Sequence, residues 1–222
     1  MKKRIPQVDY RQFRLRKLSH PEFSHLTLLL GWVVYFVLYF LTENLIPAEN
    51  CYPVHCIVDD WIPFCEWFVF PYILWYVYII VTLLYMLLYN VDGFKRLSKY
   101  IIITQLTAMA IYILFPTRQD LRPEVLPRDN FPSWIVSVLY RFDTNTGVCP
   151  SLHVAYSLGI ASAWSKEKDV SVIWRSCMVI FAVLVCLSTA FIKQHSVLDG
   201  LAAVPICLFA EWFCYHRKPK TA

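Results

Sequence analysis

The chain has 222 residues, of which 58% are apolar and 17% are charged, and its mean hydropathy is +0.46. Average soluble domains carry roughly 25% charged and about 45 to 50% apolar residues, so this composition excludes disorder and argues against a water-soluble globule. The thirteen prolines and five glycines show no period, which excludes a collagen-like chain.

The apolar residues are gathered in long runs. Five runs have about the 20 residues that an α-helix needs to cross a ~30 Å hydrocarbon core, and they are residues 26–46, 70–90, 97–115, 171–192 and 197–215. A sixth run, residues 151–164, is only fourteen residues long, which is more typical of a buried or re-entrant segment. Helix is expected for all of them, because a backbone in lipid must satisfy its own hydrogen bonds.

The distribution of basic residues favours six crossings over five. If the short run crosses, sixteen of the 21 Lys and Arg residues fall on one side of the membrane, and such residues are enriched in cytoplasmic loops. We therefore predict an all-α, integral membrane bundle of six helices. The domain covers residues 26–215, between basic cytoplasmic tails at residues 1–25 and 216–222. This bias accounts for the net charge of +5, and no nucleic-acid partner is predicted.

Five basic residues remain for the outer, extracytoplasmic side: Arg118, Arg122, Arg128, Arg141 and Lys193. Arg and Lys are the side chains that bind phosphate, so their clustering near helix ends suggests an anion site. They also lie near ten carboxylates whose charge they could offset. On charge alone, both interpretations stay open.

Two histidines favour a site over simple charge compensation. His153 begins the short run, and His195 lies between the last two runs, four residues before Asp199. Residues at i and i+4 share a face of a helix, so Asp199 could hold one nitrogen of His195 and leave the other free to attack. An ionisable residue such as Asp199 inside a membrane segment is by default a functional candidate.

Three short stretches resemble the signature of the type 2 phosphatidic acid phosphatase superfamily. They are Arg122-Pro123, Pro150-Ser151-Leu152-His153, and the stretch from Ser188 through His195 to Asp199. The family pattern has Lys, six residues and Arg-Pro, then Pro-Ser-Gly-His, then Ser-Arg, five residues, His, three residues and Asp. The spacing of the third part is fully met.

The chain departs from this pattern at three positions, where it has Phe115, Leu152 and Thr189 in place of Lys, Gly and Arg. Arg118 and Lys193 lie within a few residues of the vacated positions and are expected to supply the missing charge. The Pro-Ser-Leu-His form is similar to the branch that includes inositol phosphorylceramide synthases, which transfer a head group between lipids.

The resemblance implies a mechanism without a metal or other cofactor. His195, oriented by Asp199, would attack phosphorus and form a phosphohistidine, and His153 would act as general acid and then as general base. The groups expected to hold the phosphoryl oxygens are Arg118, Arg122, Lys193, Ser151 and Ser188.

The outer segments carry two further expectations. Cys51, Cys56 and Cys65 lack the spacing of a zinc site, so a disulfide among them, or from one of them to Cys149, is expected if that side is oxidising. The outer loop, residues 116–150, contains apolar residues at the spacing of a short amphipathic helix in the membrane interface: Trp134, Ile135, Val138 and Leu139.

The leading prediction is a multi-pass membrane enzyme that hydrolyses a lipid phosphate monoester or diphosphate at the outer face. Its expected partners are the lipid phosphate substrate and the surrounding membrane lipids. The alternative enzyme is a lipid phosphotransferase that uses an alcohol acceptor. A hypothesis of another class, a non-catalytic lipid-binding or transport protein, is favoured by the three substituted positions.

Overall fold

The computed structural model describes residues 5–216, and 71% of it is helical. Its helices are α1 (Leu30–Leu45), α2 (Ile57–Trp61), α3 (Val69–Tyr89), α4 (Val91–Leu114), α5 (Phe131–Phe142), α6 (Leu152–Lys166), α7 (Val172–Phe191) and α8 (Val197–Glu211). Two short strands, β1 (Tyr52–Pro53) and β2 (Thr117–Arg118), pair in parallel with Tyr52 opposite Thr117. The prediction of an essentially all-α fold is confirmed.

Five helices are long and apolar enough to cross a membrane. With their short 3₁₀ and π extensions, they are Ser24–Leu45, Glu66–Tyr89, Val91–Leu114, Val172–Phe191 and Val197–His216. Each coincides with one of the five long apolar runs. The structure therefore confirms five apolar helices of spanning length.

Helix α4 begins six residues earlier than the apolar run predicted. The side chain of Asn90 accepts a hydrogen bond from the Gly93 backbone N–H at 2.8 Å and caps the helix, directly after α3 ends at Tyr89. Lys95 and Arg96, which precede the predicted apolar run, therefore lie on the first turns of α4. Capping overrides hydropathy here, because a polar first turn outside the apolar layer can still be helical.

Helix α6 is the central helix of the bundle. It packs against α3, α4, α7 and α8. Gly159 permits the close approach of α4, since a Cβ atom there would collide with the Tyr100 ring. At one end, Ser151 N–H donates to the Asp199 carbonyl, and at the other the Asn90 amide donates to Glu167. Helix α6 therefore runs between the two ends of the bundle.

The N-terminal segment packs against the α3–α4 junction. Tyr10 donates from its hydroxyl to the Leu87 carbonyl at 2.9 Å and also contacts His25, and Phe23 is buried. The predicted basic tails fall partly outside the described residues, since the structure describes neither residues 1–4 nor residues 217–222.

Helix α5 lies in the outer loop, within the residues where a short helix was predicted. Val136 is buried in a small cluster with Val69, Tyr72 and Ile192, which joins α5 to α3 and to the α7–α8 turn. Trp134 points away from this cluster and is 61% exposed. One face of α5 therefore packs against the bundle, and the opposite face is exposed.

The expected disulfide is not formed. Cys51, Cys56, Cys65 and Cys149 are all free thiols. They belong to different local arrangements: the Cys51 thiol donates to the Pro47 carbonyl, while the Cys149 thiol lies beside Asp199. Burial raises the pKa of the Cys149 thiol to about 12, and the Asp199 carboxylate adds to the rise.

Candidate active site

The start of α8 brings His195 and Asp199 together. Ser196 is the N-cap residue, and Oδ2 of Asp199 accepts hydrogen bonds from the Ser196 N–H at 3.0 Å and from His195 Nδ1 at 3.1 Å. The four-residue spacing therefore does produce the predicted contact. Its reason differs, because His195 precedes the helix and the carboxylate reaches back through a capping box rather than along a helical face.

His153 stands next to His195 at the start of α6. Its Nδ1 is 3.3 Å from Nε2 of His195. Its ring is held between Tyr72, at 4.5 Å between ring centroids, and Trp75, at 4.2 Å. Nε2 of His153 is buried, with no hydrogen-bond partner in the described part of the chain.

One assignment of protons satisfies these contacts. His195 donates from Nδ1 to Asp199, and its Nε2 accepts a hydrogen bond from Nδ1 of His153. The buried Nε2 of His153 is then the nitrogen without a proton, which agrees with its lack of an acceptor. The reactive nitrogens are accordingly Nε2 of His195 and Nδ1 of His153, a distinction that the sequence cannot make.

The two imidazoles face a cavity of about 400 Å³. Its walls come from α1, α3, α4, α6 and the loop after α5, and most of them are aromatic or aliphatic. The exposed side chains among the lining residues are Phe36 on α1, Tyr76 and Ile80 on α3, and Thr144 in the loop after α5. The cavity is therefore open sideways, between α1 and α3, and also beside the outer loop at Thr144.

Arg122 lies behind the histidines and does not line the cavity. Its guanidinium donates to Oε1 of Gln194 from Nε at 2.9 Å and from Nη2 at 2.6 Å. It also donates to the carbonyls of Tyr140, Asp143 and Thr144. Burial lowers the pKa of this guanidinium, against an opposing effect of Asp143.

Arg118 and Lys193 are turned away from the imidazoles. Arg118 donates to the carbonyls of Ala48 and Cys51 and pairs with Asp120 at 3.0 Å. Lys193 has a left-handed backbone with φ of 54°, and its ammonium donates to the Asp59 and Ile62 carbonyls at 2.7 and 2.6 Å. Burial lowers the pKa of the Lys193 ammonium. Neither residue is among those that line the cavity.

The two predicted serines are buried and have structural contacts. Ser151 is the N-cap residue of α6, where its hydroxyl accepts from the Val154 N–H. The Ser188 hydroxyl donates to the Val185 carbonyl one turn earlier in α7. The structure thus brings together His153, His195 and Asp199, and it places the five predicted phosphate ligands around them without turning their side chains into the cavity.

Sequence reasoning missed a polar group that does line the cavity. Oδ2 of Asp143 accepts hydrogen bonds from the Tyr72 hydroxyl and from Nε2 of Gln194, both at 2.8 Å. Gln194 in turn accepts from Arg122. Only the position of Gln194, directly before His195, signalled a role in the sequence. Tyr72 and Asp143 lie 71 positions apart, and nothing in their spacing connects them.

A second missed residue, Asp59, supports the start of α8 from the first outer loop. Its carboxylate accepts from the Ser196 hydroxyl at 2.6 Å and from the backbone N–H groups of Val197 and Cys56, both at 2.8 Å. Burial alone would raise the pKa of Asp59, but these hydrogen bonds outweigh it and lower the pKa. The turn that carries His195 is therefore held from both sides.

Comparison of the chain with family models, with curated proteins and with solved structures gave no match. In the site itself, two paired imidazoles stand beside a largely aromatic cavity.

Proposed function

We propose that the chain is a six-span membrane enzyme that cleaves a lipid phosphoester through a phosphohistidine, with hydrolysis as its first activity. The relay of Asp199, His195 and His153 at the polar end of an apolar cavity carries this proposal. Anion binding alone would not require an imidazole with one nitrogen held by a buried carboxylate and the other facing a second imidazole.

The relay supplies the parts of a two-step displacement. Nε2 of His195 attacks phosphorus, and Asp199 stabilises the positive charge that develops on the ring. His153 enters this step as the imidazolium, with a second proton on Nε2. The bond from phosphorus to the lipid oxygen breaks, and His153 gives its Nδ1 proton to that oxygen and becomes a neutral imidazole. Water then attacks the phosphohistidine, returns a proton to His153, and frees His195 with release of phosphate.

Two features support phosphoryl-oxygen binding beside the relay. The first turn of α6 leaves backbone N–H groups without intrahelical partners, and Leu152 and His153 of this turn line the cavity. A helix N-terminus with free N–H groups favours an anion. Arg122 adds positive charge from behind, through Gln194. In this proposal the other predicted ligands act by supporting the loops around the site.

The path of α6 supports six crossings. Helix α6 connects the end of the bundle that carries the histidines with the end that carries Asn90 and Glu167. Six crossings leave both termini and the basic residues of α4 on one side, which the positive-inside rule assigns to the cytoplasm. The histidines then belong to the extracytoplasmic side, where the cavity would admit lipid sideways.

A lipid phosphotransferase is the second candidate, and the cavity wall favours it. A cavity lined largely by aromatic and aliphatic side chains fits an alcohol acceptor with an apolar tail and limits the approach of water. The chemistry differs only in the last step, since the acceptor hydroxyl would replace water and His153 would take its proton.

The test uses purified protein in proteoliposomes with a ³²P-labelled lipid phosphate, with and without diacylglycerol or ceramide as acceptor. Free phosphate alone supports hydrolysis, and a new labelled phospholipid supports transfer. We expect His195→Ala to lose about 10³-fold or more of either activity, while His55→Ala, which changes an exposed histidine of the first outer loop paired with Asp60, keeps it.

An acid-labile, base-stable label on the protein would identify the phosphohistidine, and we expect it to be absent in His195→Ala. Full activity of His195→Ala would contradict the proposed nucleophile. A wild-type protein that binds lipid phosphates and turns none of them over would identify the non-catalytic alternative.

A further inference from the structure

The cavity beside the histidines is lined by aromatic rings to an unusual degree. Trp32, Tyr35 and Tyr39 line it from α1, and Trp75 and Tyr76 line it from α3. The face of an aromatic ring carries negative charge, and several rings around one space favour a cation. The chemistry of this wall is therefore different from that of a site for a bare phosphate.

The charged side chain that the wall contains is an acid. Asp143 lines the cavity and lies close enough to Tyr35, Tyr39 and Tyr76 to interact with each electrostatically. Both of its hydrogen bonds end on Oδ2, and within residues 5–216 no hydrogen bond reaches Oδ1. One carboxylate oxygen is thus available to a ligand.

The surrounding contacts hold this carboxylate in place. Arg122 donates to the backbone carbonyls of Asp143 and Thr144 and so holds the loop from behind. The Thr144 hydroxyl donates to a second acid, Glu43, at the edge of the same loop. Within the described part of the chain, no Lys or Arg lines the cavity. Asp143 therefore places a negative charge on this part of the cavity wall, while Arg122 lies outside the lining.

We infer that the aromatic wall and Asp143 bind the quaternary ammonium of a lipid head group, so that the substrate is a phosphodiester of the choline type. This inference rests on the proposed function and names its substrate class. Asp143 is linked to His195 through the adjacent residue Gln194. The ammonium would therefore lie a short distance from the phosphorus that His195 attacks, as it does in a phosphocholine group.

The step remains balanced with this substrate. Nε2 of His195 forms a bond to phosphorus, and the bond from phosphorus to the lipid oxygen breaks. The neutral lipid alcohol leaves with the Nδ1 proton of His153. The choline phosphate stays on His195 until water or a second alcohol attacks and returns a proton to His153. Asp143 touches none of the reacting atoms and acts only in binding.

The test measures binding by the change in intrinsic tryptophan fluorescence, to which Trp32 and Trp75 of the cavity contribute, on the full chain in maltoside micelles. The probes are dihexanoyl phosphatidylcholine, phosphatidylglycerol and phosphatidic acid, which share their tails and differ in head group. We expect the choline lipid to bind about tenfold or more tightly than phosphatidic acid, with tetramethylammonium as a competitor.

Two pairs of variants separate the contribution of the Asp143 carboxylate from that of the aromatic rings. Asp143→Asn should remove the preference for the choline lipid, while Glu124→Gln, an exposed carboxylate of the same outer loop, should leave it unchanged. Tyr35→Leu should weaken choline binding severalfold, and Tyr35→Phe should preserve it, since phenylalanine keeps the ring face. If Asp143→Asn fails to fold, the Tyr35→Leu and Tyr35→Phe pair still tests the aromatic wall, and equal choline binding by these two variants would overturn the inference.

Equal or tighter binding of phosphatidic acid by the wild type, or a choline preference that survives Asp143→Asn, would overturn the inference. These results are distinct from failure of the proposed function. A choline preference without turnover would remove the catalytic proposal and keep the binding site, whereas turnover of phosphatidic acid without a choline preference would do the reverse.

Discussion

The start of α8 and the outer cations differ in how their contacts arise. His195, Ser196 and Asp199 meet within five consecutive residues, through a helix cap. Arg118, Arg122 and Lys193 were expected to converge on the same point, yet each one binds carbonyls of segments distant in the chain. His195 and Asp199 are positioned by local structure, while the cations hold the loops around them.

This comparison teaches that a cation near a reactive group is not thereby its ligand. An outer loop folded over the end of a bundle exposes carbonyl groups that need donors, and Arg and Lys are the side chains with donors to spare. Arg122 differs from the other two because it also holds Gln194, the neighbour of His195. Arg122 is therefore hydrogen-bonded both to the outer loop and to the residue that precedes His195.

The largest expected effect is at the start of α8, where His195 and Asp199 meet. Asp199→Asn should keep the fold and lower activity by about 10³- to 10⁴-fold, because the amide no longer stabilises the charged imidazole of His195 or fixes its tautomer. Phosphate release or head-group transfer in proteoliposomes measures it. Asp60→Asn, an exposed carboxylate of the first outer loop, is the control and should be unaffected. Asp199→Asn with near-normal turnover would mean that the carboxylate serves only as a helix cap.

The next effect distinguishes Arg122 from Arg118 by the loss of activity that each substitution causes. Arg122→Lys should lower activity roughly 10- to 100-fold, since a single ammonium cannot hold Gln194 at two points and the histidine turn shifts. Arg118→Lys should change activity by less than about threefold, because its contacts end on the Ala48 and Cys51 carbonyls. The same phosphate-release assay compares the two. A loss at position 118 as large as that at position 122 would show that Arg118 reaches the phosphate.

A smaller effect concerns stability. Asp59→Asn should lower the free energy of unfolding by about 1 to 3 kcal/mol, because the carboxylate accepts two hydrogen bonds at the start of α8 and one from the Cys56 N–H at the start of α2. Thermal unfolding in detergent measures it, with Asp60→Asn as the matched control.

The pH dependence of that difference has a definite sign. The folded-state pKa of Asp59 is lowered, so its contribution to stability is fully present above the unfolded-state pKa of about 3.9. It is lost as the pH falls through the lower folded-state pKa. The gap between wild type and Asp59→Asn should therefore be constant near neutrality and close in acid. A gap that widened in acid would contradict the hydrogen-bonded carboxylate.

The smallest expected effect is at Lys193. Lys193→Met keeps the length of the side chain and removes the ammonium that donates to the Asp59 and Ile62 carbonyls. We expect a loss of about 1 kcal/mol in unfolding free energy and little change in turnover. Loss of a donor that binds the phosphoryl oxygens would instead cost about 10²- to 10³-fold in activity. Measuring both quantities on one preparation distinguishes a loop support from a phosphate ligand.

The amino-acid sequence by itself determined the five apolar helices and the contact of His195 with Asp199. Hydropathy reports length in an apolar layer directly, and a contact within five residues depends only on local backbone geometry. The sequence pattern also indicated a helix in the outer loop, where the structure has α5. It misjudged the start of α4, because a capped polar turn carries no hydropathic signal.

Only the tertiary structure decided which groups surround the reactive imidazoles. Asp143 reaches Tyr72 and Gln194 from a different part of the chain, and Asp59 reaches Ser196 across 137 positions. Charge counts placed Arg118 and Lys193 near the site but could not say where their side chains point. Such contacts depend on how loops close over the bundle, and loop closure is set by packing between distant segments rather than by any short-range pattern.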